Sequence, residues 1–137
     1  MVAVLAAFAI PRVIDRSGFA SRGFYDEAQG IVRYAQKVAI AQRQSPPKPP
    51  VFVVIEPNRI RVCYDAACSA AVADPANGAP LVLTAPGTVT VSPATFSFSG
   101  SGAPSIAGQL AITVASSGPG DIDRTFFVEA QTGYVHD

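Results

Sequence analysis

The sequence is poor in charge, in histidine and in cysteine. Charged residues make up 15% of the 137 positions, against about 25% in typical soluble domains. Ten basic and ten acidic residues give a formal net charge of zero. No general basic field therefore attracts nucleic acid, and no nucleic-acid partner is predicted. The length allows one domain with one hydrophobic core.

Catalytic motifs are also missing. His136 is the single histidine and lies next to the C-terminal residue, where we expect it to fray and to serve poorly as a general base. The Gly-Ser-Gly segment at 100–102 is not a Gly-x-Ser-x-Gly nucleophile turn. No Gly-rich loop carries the Lys-Ser/Thr pair of a phosphate cradle. The sequence therefore predicts neither an enzyme nor a bound cofactor.

Metal-ligand patterns are sparse. Asp121 and Asp123 flank one residue and could bind Ca²⁺, but two carboxylates are too few, and no metal is predicted. Cys63 and Cys68 have no second Cys or His pair to complete a zinc site, which favours a disulfide. Two reduced thiols are the alternative. A disulfide here would stabilise the fold by about 2 kcal/mol and would indicate an oxidising compartment.

The longest early apolar run is short. Residues 1–10 carry no charge, but a bilayer span needs about 20 such residues. The run could be a buried core helix, the apolar part of a secretory signal, or the end of a longer apolar helix. Pro11 then removes one backbone hydrogen bond, which kinks a helix without always ending it.

A second helical pattern covers residues 26–43, with apolar residues spaced by three and four so that they share one face. That face is formed by Phe24, Ala28, Ile31, Ala35 and Val38. Asp26 and Glu27 open the segment and bases close it, which would complement the helix dipole. Prolines at 46–50 then end the helix. The pattern predicts an amphipathic helix packed on a sheet.

Strand patterns fill the second half of the chain, because β-branched and aromatic residues alternate with polar ones between Gly, Pro, Asn and Asp. The predicted strands are 51–55, 59–64, 80–83, 89–91, 96–98, 110–114, 126–130 and 133–135. The predicted fold class is α+β, with a long N-terminal helix packed on a C-terminal antiparallel β-sheet domain. We predict a helix over 1–44, apolar over 1–11 and amphipathic over 20–44, followed by a β-rich domain over 45–137.

Several segments resemble type IV pilins and type II secretion pseudopilins. The apolar helix ending in Ala-Phe-Ala-Ile-Pro at 7–11 is similar to their N-terminal spine. Segments 23–26 and 33–41 resemble the GspH/FimT group and minor pilins of the mannose-sensitive haemagglutinin pilus. The strand-then-Gly segment 96–104 and the Thr-Gly-Tyr-Val strand at 132–135 are similar to the β domain of that group.

The resemblance implies a structural subunit, a minor pilin or pseudopilin, that assembles through its N-terminal helix. It implies as partners other pilin or pseudopilin subunits, an inner-membrane assembly platform and the membrane itself. The implied location is the bacterial inner membrane with a periplasmic globular domain. The residues expected in the membrane and filament helix are Val2, Val4, Leu5, Phe8, Ile10 and Pro11.

Prepilins of this family carry a basic leader, a Gly-Phe pair and a following Glu, and this sequence has no such segment before its apolar run. We therefore expect the chain to begin about a dozen residues late. Arg12, Arg16 and Arg22 would favour a cytoplasmic flank, whereas the family places this flank in the periplasm. The alternative function is a secreted or membrane-tethered β-domain binding or adhesion module, and a small hydrolase is the third hypothesis.

Overall fold

One long α-helix forms the first element of the fold. The computed structural model describes residues 2–42 and 50–137, with side chains from Ala20 onward. Helix α1 runs without a break over Val2–Ala41, which is 40 residues and about 60 Å at 1.5 Å per residue. The side chains of the six predicted filament residues lie outside the described part, as does the predicted helix end at residue 44. No helix in the described residues combines the length and the apolar composition that crossing a bilayer requires.

The helix corrects one electrostatic expectation. Asp26 and Glu27 lie in the middle of α1 rather than at its start, and the first turn carries no acid and the last turn no base. The prediction that Asp26 and Glu27 lie at the start of the helix is therefore wrong, and Arg43, the base at the end of the predicted segment, lies outside the described residues. Stability of this helix must come mainly from packing its apolar stripe, as in most protein helices.

Short strands make up the rest of the described chain. They are β1 (Val51–Glu56), β2 (Arg59–Cys63), β3 (Val82–Thr84), β4 (Val89–Val91), β5 (Ala94–Phe98), β6 (Leu110–Ser116), β7 (Arg124–Val128) and β8 (Val135–His136). Each predicted strand has a counterpart. Three of them are shifted along the chain. Strands β3 and β8 begin two residues later than the predicted strands 80–83 and 133–135, and β7 begins two residues earlier than the predicted strand 126–130.

The strands form two four-stranded antiparallel sheets. The first sheet has the order β3-β2-β1-β5 and the second has the order β4-β6-β7-β8. A tight turn at 57–58 joins β1 to β2, whose register pairs Glu56 with Arg59. Helix α1 contacts strands of both sheets, and the predicted α+β fold is confirmed.

The core lies where the helix meets the two sheets. Alternate strand residues are buried, as in β6 and β7, where Ile112, Val114, Phe126 and Val128 are fully inaccessible. Because side chains alternate between sheet faces, their neighbours point away from the core. The largest fully buried side chains are Phe96, Phe98, Phe126, Ile60 and Ile112.

Candidate functional site: the helix–sheet junction and the outer face of the second sheet

The apolar stripe of α1 is buried against the sheets. Phe24, Ala28 and Ala35 are at most 3% exposed, and Ile31 is 8% exposed. Val38 is half-buried and packs against the same core. The structure thus places the five predicted packing residues on the face of the helix that meets the sheets.

Gln36 joins the helix to both sheets. Its side-chain nitrogen donates hydrogen bonds to the carbonyl oxygens of Gly102 and Thr132, each at 2.9 Å. Gly102 follows strand β5 of the first sheet, and Thr132 lies in the turn between β7 and β8 of the second. The sequence predicts Gln36 off the apolar stripe but gives no sign of these backbone partners, which are 66 and 96 residues away.

Two further helix side chains bind the backbone of the second sheet. The Arg33 guanidinium donates to the carbonyl of Val135 at 3.0 Å. The Tyr25 hydroxyl donates to the carbonyl of Thr125 at 3.1 Å. Burial raises the pKa of Tyr25 above its ordinary value, so the hydroxyl stays protonated and remains a donor. The polar flank of α1 therefore holds β7 and β8 by their main chain.

Gly133 occupies the point where the helix, the loop after β5 and the β7–β8 turn meet. Its φ is +70°, a region that glycine adopts without steric cost. A Cβ at this position would lie 2.5 Å from the Gly102 carbonyl oxygen and 2.6 Å from Gln36 Nε2. It would also lie 3.0 Å from the Phe98 ring. The close approach needed for the Gln36 hydrogen bonds therefore requires glycine here.

The outer face of the second sheet carries a row of three rings. The Phe127 and His136 ring centroids are 5.6 Å apart, and those of His136 and Tyr134 are 5.3 Å apart at an interplanar angle of 17°. His136 Nε2 and Glu129 Oε1 are hydrogen-bonded at 2.6 Å. Gln109 Nε2 donates to the same oxygen at 2.7 Å. We call these five residues the ring cluster.

The environment of His136 differs from the predicted one. The residue lies in β8, where it pairs with Phe127 of β7, so the prediction of a frayed terminal histidine is wrong. The hydrogen bond with Glu129 raises the pKa of His136, and the same bond lowers the pKa of Glu129. The two shifts agree in describing an attraction between imidazolium and carboxylate. Alternation in β7 and β8 predicts the shared face, but the cross-strand register depends on the β7–β8 turn.

The architecture matches that of known crystal structures. Two crystal forms of the type IV minor pilin FimU from Pseudomonas aeruginosa are similar to this chain, with TM-scores of 0.58 and 0.59 and 15% sequence identity. The match covers 84% of this chain in both cases, and 90% and 85% of the two FimU chains. This chain has the type IV pilin-like fold. No family model and no curated protein matches it by sequence.

The pilin-like fold contains the predicted disulfide. Cys63 and Cys68 are bonded, with Cα atoms 5.2 Å apart. Asp65 organises the loop that the bond closes, since its carboxylate accepts hydrogen bonds from the Ser69 hydroxyl and from the backbone N–H groups of Ser69 and Ala70. These hydrogen bonds lower the pKa of Asp65, and the bond from the Ser69 hydroxyl has the largest effect.

Asp121 and Asp123 each have structural partners within the protein. Asp121 accepts a hydrogen bond from the Ser21 hydroxyl of α1 at 2.7 Å, and this bond is the main reason that its pKa is lowered. Asp123 accepts one from the backbone N–H of Ser116 at 3.2 Å. Among the described residues, no group of three or more His, Cys, Asp or Glu side chains could hold a metal ion.

Proposed function

We propose that this chain is a structural subunit, a minor pilin or a pseudopilin, of a type IV pilus or a type II secretion filament. One observation carries the proposal. A single 40-residue helix, α1, opens the fold and packs its apolar stripe on two antiparallel sheets, and this architecture is similar to that of the minor pilin FimU over 84% of the chain. At 1.5 Å per residue the helix is about 60 Å long, whereas the longest strand has seven residues, which is about 23 Å.

The apolar residues of the helix suggest how assembly occurs. In the inner membrane, the backbone groups of a helix satisfy one another, so lipid is an acceptable environment. On assembly, the segment leaves lipid and packs among the same helices of neighbouring subunits, where small residues permit close approach. The chain offers Ala3, Ala6, Ala7 and Ala9 for close approach, with larger apolar side chains between them. Because the contact is head-to-tail, it generates an open helical filament.

The globular domain would then lie in the periplasm or on the fibre surface. The Cys63–Cys68 disulfide supports an oxidising compartment, since such bonds persist outside the cytosol. Within the described residues, the side chain of His136 is engaged by Glu129 and neighbouring rings. This supports a structural role for the histidine rather than catalysis, and we propose that the chain is not an enzyme.

Filament assembly is tested by placing a charge in the helix. In the native host, surface fibres or pseudopili are sheared from cells expressing wild type, Phe8→Arg or Ile122→Arg. Ile122 is 59% exposed in the loop between β6 and β7, so arginine there controls for added charge. An arginine at the centre of an apolar helix costs about 2.5 kcal/mol or more, and we expect Phe8→Arg to lower the recovered subunit by about tenfold or more.

The same experiment can contradict the proposal. Equal recovery of Phe8→Arg and wild type in the fibres would rule out assembly through this helix. Thiol labelling of the cell-bound protein shows whether Cys63 and Cys68 are still bonded, which separates an assembly defect from misfolding. If no sheared fibre contains the wild-type chain, a tethered β-domain binding module becomes the better description.

A further inference from the structure

The ring cluster presents an aromatic surface on the side of the second sheet that faces away from the core. Phe126, Val128 and Val135 are buried, so their strand neighbours Phe127 and His136 point outward. Tyr134 is 64% exposed, the highest value among the large apolar and aromatic side chains of the described chain. Because His136 stacks on one face of the Tyr134 ring, a ligand would approach the opposite face.

Hydrogen-bonding groups lie beside the rings. Glu129 receives its two donors, His136 and Gln109, on the same oxygen, Oε1. Oε2 accepts no hydrogen bond from the described residues, and the Glu129 side chain is 38% exposed. The Gln109 side-chain nitrogen is occupied by Glu129, which leaves the amide oxygen as a further acceptor. The edge of the row therefore offers acceptors to a ligand that carries hydroxyl donors.

A cleft adjoins this edge. Its volume is about 510 Å³, within the range of small-molecule sites. Its walls combine small residues with the polar side chains of Glu129 and Gln131, and Glu129 belongs both to the cleft and to the ring cluster. The lining residues are Ala107, Gly108, Glu129, Ala130, Gln131 and Thr132.

We propose that the ring cluster and its cleft bind a pyranose sugar. The apolar C–H face of a pyranose ring would stack on Tyr134, as apolar groups do on an exposed aromatic face. A sugar hydroxyl would donate to Glu129 Oε2, and an acceptor that carries charge makes this the stronger kind of hydrogen bond. Sugars combine one apolar face with equatorial hydroxyl donors, and this surface combines an open ring with acceptors at its edge.

The site is held in place before a ligand arrives. The N–H of Glu129 donates to the carbonyl of Tyr134 at 3.0 Å, and the N–H of Gly133 donates to the carbonyl of Glu129 at 2.9 Å. These bonds hold the two backbone positions from which the ring and the carboxylate project. His136 contacts the rings of Phe127 and Tyr134 and is bonded to Glu129. Such preorganisation reduces the entropy that binding must overcome.

The structure favours a neutral sugar over a cation as the ligand. An exposed tyrosine ring beside a carboxylate would also attract a quaternary ammonium ion. However, His136 stacks directly on the inner face of Tyr134, and its imidazolium form opposes a second positive charge on the outer face. A sugar is not affected by that charge. Tetramethylammonium therefore serves as the competing probe.

The experiment is an NMR titration of the purified full chain. The probes are the methyl pyranosides of glucose, galactose, mannose and N-acetylglucosamine, and, separately, tetramethylammonium. We expect at least one pyranoside to shift the amide resonances of Glu129, Tyr134 and His136 in a saturable way. Tyr134→Ala and Glu129→Gln should each raise its Kd by about tenfold, which corresponds to 1.4 kcal/mol.

Ile122→Ala is the matched control, because it removes another exposed apolar side chain on a different part of the surface. It should leave the Kd unchanged. The proposal fails if no pyranoside gives a saturable shift up to about 100 mM, a concentration that saturates a millimolar site. It also fails if Tyr134→Ala binds as tightly as wild type, or if only tetramethylammonium binds. None of these outcomes bears on filament assembly, which depends on the helix.

Discussion

At the scale of single residues, Gly133 is the glycine at which an added side chain would make the closest contacts. An alanine there must adopt a φ near +70° and brings its Cβ within 2.6 Å of Gly102 and Gln36 atoms. Strained backbone and overpacking together should lower the free energy of unfolding by about 2–4 kcal/mol. Urea denaturation measures this change. Gly87→Ala is the control, because its Cβ would meet no atom within 4 Å, and a similar loss in both variants would disprove the argument.

The His136–Glu129 pair predicts a pH dependence with a definite sign. The pKa of His136 is raised, so its contribution to stability is complete below the ordinary value of 6.5 and is lost as the pH rises through the folded value. The pKa of Glu129 is lowered, so its contribution is complete above the ordinary value of 4.5 and is lost as the pH falls through the folded value. The contribution of this pair to the stability of the folded protein is therefore largest between about pH 4.5 and 6.5.

Glu129→Gln tests this window. Its stability deficit relative to wild type should be largest between about pH 4.5 and 6.5 and should shrink at higher pH. The ring protons of His136, followed by NMR, should titrate above 6.5 in wild type and closer to that value in the variant. Asp137 also interacts with this imidazole and raises its pKa, so part of the shift should remain. Identical titration curves would show that the pair has no energetic coupling.

At the scale of elements, the two faces of α1 differ in their contribution to stability. Ile31 is 8% exposed and Ile40 is 47% exposed on the same helix, so the same substitution can be compared at both. Ile31→Ala should destabilise the fold by about 2–4 kcal/mol, because it removes buried methyl groups and leaves a cavity. Ile40→Ala should lower the free energy of unfolding by less than about 1 kcal/mol. Thermal or urea unfolding of both variants measures the difference, and equal losses would contradict the assigned orientation.

The elements also show how far sequence patterns reach. The spacing of Phe24, Ala28, Ile31 and Ala35 indicates the buried face of α1, because helical geometry alone determines which residues share a face. Alternation of apolar and polar residues locates the strands, because successive side chains of a strand point to opposite faces. The start of β7 (Arg124–Val128) differs from the predicted one by two residues, because strand limits depend on the pairing with neighbouring strands and not only on the local pattern.

The ring cluster could not be found from the sequence. Its members come from β6, β7 and β8 and the segments beside them, and they meet only through the register of those strands. The same holds for Gln36, whose partners are two backbone carbonyls that carry no sequence signal. Local patterns therefore predict the elements and their faces, whereas the surface chemistry depends on the register between strands.

At the scale of the whole molecule, Gln36 couples the two sheets through the helix. Gln36→Glu removes the nitrogen that donates to Gly102 and Thr132 and places a carboxylate against their carbonyl oxygens. Leaving these acceptors without a donor should lower the free energy of unfolding by about 2 kcal/mol or more. Gln131→Glu introduces the same change at an exposed position and should have an effect within about 0.5 kcal/mol. Equal stability of the two variants in urea would argue against the coupling.

The hydrogen bond between Arg33 and Val135 joins residues 102 positions apart, and this separation has a consequence for biosynthesis. A ribosome adding 5–20 residues per second leaves α1 without β8 for roughly 5–20 s. During that interval, the nascent helix exposes an apolar stripe that a chaperone or export factor can recognise. Chains arrested before Thr132 should therefore be cleaved by protease within α1, whereas released chains should resist.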